Sequence, residues 1–205
     1  MHTALNAYME ALKGAMISEE RKARLAPLIR YVQQKLEQGE RPVLQFICTH
    51  NSRRSQFAQL WAHTASAMHG VSIRSLSGGT EATAFHPNTI ASAERAGFAF
   101  RALKEHDGQT ILTLQTGDPR LDGLAFFSKR YDDPTNEAEH FAAVMTCADA
   151  DENCPFIPGT EARIALNYDD PKAADGTDQE AQVYDQRQKQ IAAEMYYVFS
   201  VVAQS

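Results

Sequence analysis

The chain has 205 residues, enough for one substantial core with an appendage, and its composition is that of an ordinary globular protein. A formal charge of −6 sets the long-range field against polyanions, so no nucleic-acid or membrane-surface partner is expected, while a small anion held by local charge is not excluded. No apolar run approaches membrane-spanning length, and residues 1–16 lack the basic start and apolar centre of a signal peptide, so the expected compartment is the cytoplasm.

Residues 3–15 predict a short helix and residues 18–39 a longer one. The longer one opens on Ser18 as a cap, with Glu19 and Glu20 at the positive end of the dipole. Leu25, Leu28, Ile29, Val32 and Leu36 follow at helical spacing, and Gly39 is the stop. This stripe is core and carries no chemistry. Val43 to Ile47 is a short buried strand, followed by a helix from about Ser52 to His69. Val71 to Ser77 is a second strand closed by Gly78-Gly79, and His86-Pro87-Asn88 opens a helix that Gly97 ends. Ile111–Gln115 and Leu124–Ser128 flank "TGDPRLDG", whose turn chemistry predicts a hairpin. Ala142–Thr146 and Arg163–Asn167 are the third and fourth core strands. A long helix over 178–202 carries Ile191, Met195, Val198 and Val202 on one face.

Strands alternating with helices imply an α/β fold, a four-stranded parallel sheet flanked by helices. Residues 1–40 form an N-terminal helical extension packed on a domain of residues 41–205, into which about 101–141 is inserted with its β-hairpin.

The stretch "FICTHNSRRSQ" (46–56) places Cys48 at the end of a strand and a helix start near Ser52. A strand-to-helix loop directs several backbone N–H groups and a helix N-terminus at one point, which makes an anion cradle. Arg54, six positions after Cys48, can fold back to offer a guanidinium fork to an oxyanion. Dipole, amides and Arg54 all favour the Cys48 thiolate, so its pKa is expected below the ordinary value of about 8.5. Ser55 can donate to that thiolate, and Asn51 can brace the loop or adopt a left-handed conformation. The loop from Thr49 through His50, Asn51, Ser52, Arg53 and Arg54 to Ser55 is thus the candidate oxyanion site, with Cys48 the nucleophile at its base. The competing reading is a helix start beside a buried cysteine.

Three cysteines are a poor disulfide framework, and in a reducing compartment they point to catalytic or redox use, against three inert buried thiols. Cys147 ends a predicted strand, and Cys154 follows after "ADADEN". Seven positions apart on a helix they would share a face about 10 Å apart along the axis. A disulfide needs Cα atoms within roughly 7 Å, so joining the two would require a helical segment to unwind. With no C-x2-C and no His pair at ligand spacing, neither a metal nor another cofactor is expected. A nucleophile attacking a tetrahedral oxyanion also needs a proton donor. Asp170-Pro171 after the fourth strand offers one, with Asp169 beside it to raise its pKa, but Asp118 and Asp133 also precede prolines.

"CTHNSRRSQ" resembles the phosphate-binding loop of low-molecular-weight protein tyrosine phosphatases, and still more that of their relatives, the thioredoxin-coupled arsenate reductases. The resemblance continues through "SGGTEATAFHPNTIASAERAGF" and "VMTCADADENCPFIPG…NYDDP", covering roughly 43–100 and 142–202. It implies that Cys48, Cys147 and Cys154 relay electrons from thioredoxin to arsenate, and that Asp170 is the acid. The alternative it implies is a phosphomonoester hydrolase needing only Cys48, Arg54 and Asp170. Lys172 stands where tyrosine phosphatases of this kind carry an aromatic residue, which disfavours an aryl substrate. A third reading, an anion sensor on a retired scaffold, is opposed by the intact Cys, Arg, Ser and Asp set. His50 replaces the family's usual glycine, Arg53 a small residue or cysteine, and Gln59 an acid beside a potassium site, so no cation is carried over. Lys129 and Arg130 read as a solvated basic turn.

Overall fold

The computed structural model of the protein describes residues 3–106, 108–136, 139–153 and 156–204. Its centre is a parallel sheet of β1 (Val43–Cys48), β2 (Arg74–Gly79), β6 (Phe141–Met145) and β7 (Thr160–Ala165), in the order β2-β1-β6-β7. Between them run α3 (Arg54–Met68), α4 (Pro87–Arg95) and α5 (Ala148–Asn153), and α6 (Glu180–Val202) closes the chain. This is the α/β fold with the four parallel strands that the sequence pattern implies.

Strand periodicity sorts the core into two layers. Leu44, Phe46, Ala142, Val144 and Ile164 face one layer, which includes Trp61 of α3 and Ile191, Met195 and Val198 of α6. Ile47, Ala143 and Met145 face the other, with Ala150 of α5. The N-terminal helices α1 (Thr3–Leu12) and α2 (Glu19–Glu37) add Leu5, Met9, Leu25, Leu28 and Val32 to the first layer. Ser18 caps α2 as expected, accepting from the Arg21 amide. Leu36, expected in the buried stripe, is 38% exposed. Lys35 takes the inner place instead, because Glu161 and Glu40 meet its amine at 2.7 and 2.6 Å.

Between α4 and β6 lies a three-stranded antiparallel sheet, β3 (Phe100–His106), β4 (Gln109–Leu114) and β5 (Ala125–Phe126). The β4–β5 pairing is the expected hairpin. β3 lay outside the sequence expectation: six of its seven residues are exposed, so no apolar alternation marks it. Two core strands also shift. β2 starts at Arg74 rather than Val71 and runs through both glycines, and β7 starts at Thr160 rather than Arg163. The glycines are inside a strand because another backbone approaches there. Residue 130 bridges Gly79 in parallel, and a Cβ at Gly78 would strike Tyr131 backbone atoms.

β1 pairs with β2 on one side and β6 on the other, so the chain leaves the C-terminal end of β1 at the point where strand order reverses. Ligand crevices in open α/β sheets form at such points. Cys48 is the last residue of β1.

Candidate active site

From Cys48 the chain turns through residues 49–53 into α3, and the turn is braced from three directions. Asn51 sits at φ +46°, the left-handed region open to a short polar side chain, and is fully buried. Its Oδ1 accepts from the Lys129 amide at 2.9 Å, and its carbonyl accepts from Gln56 Nε2 at 2.9 Å. The His50 carbonyl accepts from Ser128 Oγ at 2.9 Å. The Ser52 carbonyl accepts from the His86 amide and Thr89 Oγ1, both at 3.2 Å. These bonds consume carbonyls and side chains only. Among the described residues, nothing accepts from the backbone N–H groups of His50 through Ser55. The loop therefore presents unspent donors at a helix N-terminus, which is an anion cradle.

Cys48 is 3% exposed, and its Sγ lies 3.1 Å from Ser55 Oγ. Asn51 Nδ2 donates to that same Oγ at 2.9 Å, which leaves the hydroxyl hydrogen of Ser55 to point at the sulfur. Arg54 folds inward. Its guanidinium donates to the Tyr168 carbonyl at 3.1 Å and to Asp170 Oδ2 at 2.6 Å, and among the described residues its buried Nε has no partner. Two of the five N–H groups are thus engaged, and the Nε–H is among those left unspent.

Asp170 caps a 3-10 turn, Pro171–Ala174, its Oδ1 accepting from the Lys172 amide at 3.0 Å. Its rivals serve elsewhere: Asp118 pairs with Arg120 and caps its own turn, and Asp133 caps Thr135. Asp169, expected to act on Asp170, turns outward with its side chain 96% exposed and pairs with Arg187. Lys172 is exposed.

Cys147 stands two residues beyond the end of β6, at the foot of α5, and is buried. Thr49 joins it to the loop: Thr49 Oγ1 lies 3.5 Å from Cys147 Sγ and donates to Asp149 Oδ2 at 2.7 Å. The oxygen of Thr49 is thus placed to accept from the Cys147 thiol, while the Ala150 amide donates to the sulfur at 3.4 Å. Cys154 lies outside the described residues.

Not every residue of the predicted loop turns its side chain to the cradle. Ser52 Oγ donates to the Ala84 carbonyl at 2.7 Å. His50 is half-buried, its Nε2 3.7 Å from the Glu81 carboxylate. Arg53 is buried and turns away: its Nε donates to Tyr184 Oη at 2.5 Å and its guanidinium pairs with Asp175 at 2.7 Å. Burial raises the Asp175 carboxyl, yet the Tyr184 hydroxyl and Arg53 together hold it below the usual carboxylate range. Burial, and after it Arg53, push the neighbouring His86 imidazole down, which suits its role of capping α4 through an accepting Nδ1. Lys129, expected in a solvated turn, is buried with its amine 4.3 Å from the Phe127 ring, and burial lowers its pKa to about 8. Asp175 and Tyr184 gave no sequence signal, since neither sits in a motif, and Asp149 lies within the "ADADEN" stretch without being singled out there. Among the described residues, no cluster of His, Cys, Asp and Glu could hold a metal ion, and no helix is long and apolar enough to cross a membrane.

No protein-family model matches the chain. Individual proteins do. An arsenate reductase of Bacillus subtilis (strain 168) is 30% identical over 148 residues, which are 72% of this chain and 87% of that protein. An arsenate reductase of Oceanobacillus iheyensis is 31% identical over 138 residues, 67% of this chain and 80% of the relative. Among solved structures, an arsenate reductase in a phosphate-binding state superposes with a TM-score of 0.51 at 19% identity, covering 78% of this chain and 98% of the other. A low-molecular-weight phosphotyrosine phosphatase from Vibrio cholerae O395 superposes with a TM-score of 0.53 at 10% identity, covering 80% and 97%. At these identities the two superpositions speak for the fold alone.

Proposed function

The chain belongs to the arsenate reductase family, and from that premise we propose that it reduces arsenate to arsenite by a three-cysteine relay regenerated by thioredoxin. The Cys48 thiolate attacks arsenic. An As–S bond forms, an As–O bond breaks, and Asp170 protonates the departing oxygen. The amides of residues 50–55 and the Arg54 fork hold the remaining oxygens through the change of charge. Cys147, giving its proton through Thr49 toward Asp149, then attacks the Cys48 sulfur. The As–S pair of electrons stays on arsenic, which leaves as arsenite, and a Cys48–Cys147 disulfide remains. Cys154 attacks Cys147, Cys48 departs as thiolate, and thioredoxin reduces the Cys147–Cys154 disulfide.

The observation that carries this reading is the pairing of an unspent amide loop with a second buried thiol one hydroxyl away, through Thr49. A second reading, phosphomonoester hydrolysis, draws on the same Cys48, Arg54 and Asp170, all three of which converge on the loop. One experiment separates them: arsenate turnover with thioredoxin and its reductase, beside aryl phosphate hydrolysis, for the unmodified protein and for Cys147→Ser and Cys154→Ser. The relay predicts arsenate turnover that either serine abolishes, while any aryl phosphate hydrolysis persists. Arsenate turnover that survives in Cys147→Ser would overturn it.

A further inference from the structure

We propose that Arg53 is a positioning residue for the proton donor, acting with Asp175 and Tyr184 to fix the turn that carries Asp170. This inference rests on the reading of Asp170 as the acid. Asp170 and Asp175 stand at the two ends of one short turn, as the N-cap and C-cap of Pro171–Ala174. Two adjacent arginines of the anion loop grip those two ends: Arg54 meets Asp170 at 2.6 Å and Arg53 meets Asp175 at 2.7 Å. The acid is thereby tied to the cradle twice, once directly and once through the far end of its own turn.

The second tie has a third member. Tyr184 of α6 accepts from Arg53 Nε at 2.5 Å and donates to Asp175 Oδ1 at 2.6 Å, so arginine, tyrosine and carboxylate close a triangle. His86, at the start of α4, stacks on the Tyr184 ring with 5.8 Å between centroids, and its Nε2 is 3.8 Å from Asp175. Helices α3, α4 and α6 thus meet the acid turn at one part-buried polar knot, in which Arg53 is enclosed while the Asp175 side chain keeps 29% of its exposure. A charge pair with one enclosed partner is a weak source of stability and is best justified by fixing one geometry. Here the geometry fixed is the position of Asp170 at the start of the Pro171–Ala174 turn. Arg54 alone could not hold it, because the same guanidinium must turn part of its fork to the oxyanion. Arg53 carries no such double duty.

The test is a set of double substitutions read by steady-state kinetics, on arsenate and, in parallel, on an aryl phosphate. Arg53→Met and the milder Tyr184→Phe should lower kcat about tenfold to hundredfold, part of what general acid catalysis supplies, with KM nearly unchanged. Arg53→Lys should recover part of the loss, since an ammonium can serve one partner but not the fork. In an Asp170→Asn background neither substitution should cost anything further, because the group they position is gone. If Arg53→Met and Tyr184→Phe lower kcat by the same factor with or without Asp170, the positioning role is wrong and the acid reading stands. If Asp170→Asn itself leaves kcat unchanged on both substrates, the acid reading fails and the positioning role falls with it. Tyr184→Phe removes only a hydroxyl, so the result does not hang on whether Arg53→Met folds.

Discussion

The anion loop and the Cys147 segment leave the neighbouring inner strands β1 and β6 at the C-terminal end of the sheet, yet they are held in opposite ways. The loop is braced by buried groups from α3, α4 and the residues around 128–130, with Asn51 fully enclosed. The Cys147 segment enters a six-residue helix, below the length that is stable on its own. Its polar ties include the Thr49–Asp149 hydrogen bond and the Asp151–Arg163 pair, both near the surface, beside the contact of Thr49 with Cys147. A cradle for a transition state must be built before the anion arrives, since reorganising it would consume the stabilisation it offers. A thiol that exchanges partners must instead be able to move, because disulfide geometry is narrow.

The comparison breaks most sharply at Arg54. Arg54→Ala removes the guanidinium and leaves the amides, and should lower turnover of either oxyanion by about 10²- to 10³-fold. Phosphate binding followed by calorimetry should weaken in the same variant, whereas Cys147→Ser should leave that affinity unchanged. Equal loss of phosphate affinity in both would mean that the two regions are one site with no division of labour.

Next in size is Gly79→Ala, which attacks the bracing rather than the charges. A Cβ there would meet the Glu81 carbonyl oxygen, the Thr49 carbonyl oxygen at 2.6 Å and the Asn51 amide at 2.8 Å. All are backbone atoms of the loop and its neighbour, so none can swing aside. We expect a loss of about 2–3 kcal/mol in urea unfolding, as for an overpacked core, together with weakened phosphate binding. Normal phosphate affinity in a folded Gly79→Ala would show that the loop tolerates displacement.

Lys129→Met tests the far side of the bracing with the opposite sign. The Lys129 backbone amide holds Asn51, but its amine is buried with no carboxylate among the described residues at ion-pair distance. Its folded-state pKa of about 8 lies below the unfolded value, so burial penalises the charged form. Below about pH 8 both states keep the proton and the penalty is present in full. Between there and about pH 10.4 the unfolded chain holds a proton that the folded chain has released, so stability rises with pH and the penalty fades. Lys129→Met should therefore stabilise by about 2 kcal/mol at pH 7, after loss of the contact with Phe127, and by little at pH 10. A destabilised variant at pH 7 would mean the amine has a stabilising role.

Much of the anion loop was legible in sequence because its chemistry is local. Cys48, Arg54 and Ser55 fall within one strand-to-helix turn, and a left-handed Asn51 follows from the residue type. The donor turn was less legible. Three Asp-Pro pairs stand in the chain, the resemblance alone favoured Asp170 among them, and the contact of Asp170 with Arg54 joins residues 116 positions apart. Arg53 was read as part of the cradle because sequence places it there, but its partners Asp175 and Tyr184 lie 122 and 131 positions away. Strand β3 was missed for a different reason. An exposed edge strand buries too little to leave a period of two. Lys129 was misread because charge normally marks solvent, and its burial is set by the neighbouring strand at Gly79 rather than by its own segment.

The smallest expected effect falls on the Cys147 side of the comparison. Asp151 ties α5 to β7 through Arg163, with Nη2–Oδ1 at 2.8 Å and side chains 24% and 29% exposed. A partly exposed pair of this kind contributes about 0.5 kcal/mol. If α5 must unwind for Cys147 to reach Cys154, that 0.5 kcal/mol is part of the barrier, and Asp151→Ala should speed formation of their disulfide about twofold. Thiol trapping with mass spectrometry after a single arsenate turnover reads this rate directly, while phosphate affinity and the urea midpoint should barely change. A slower disulfide in Asp151→Ala would mean that the helix guides the thiols together rather than holding them apart, and the contrast between a fixed loop and a yielding segment would have to be given up.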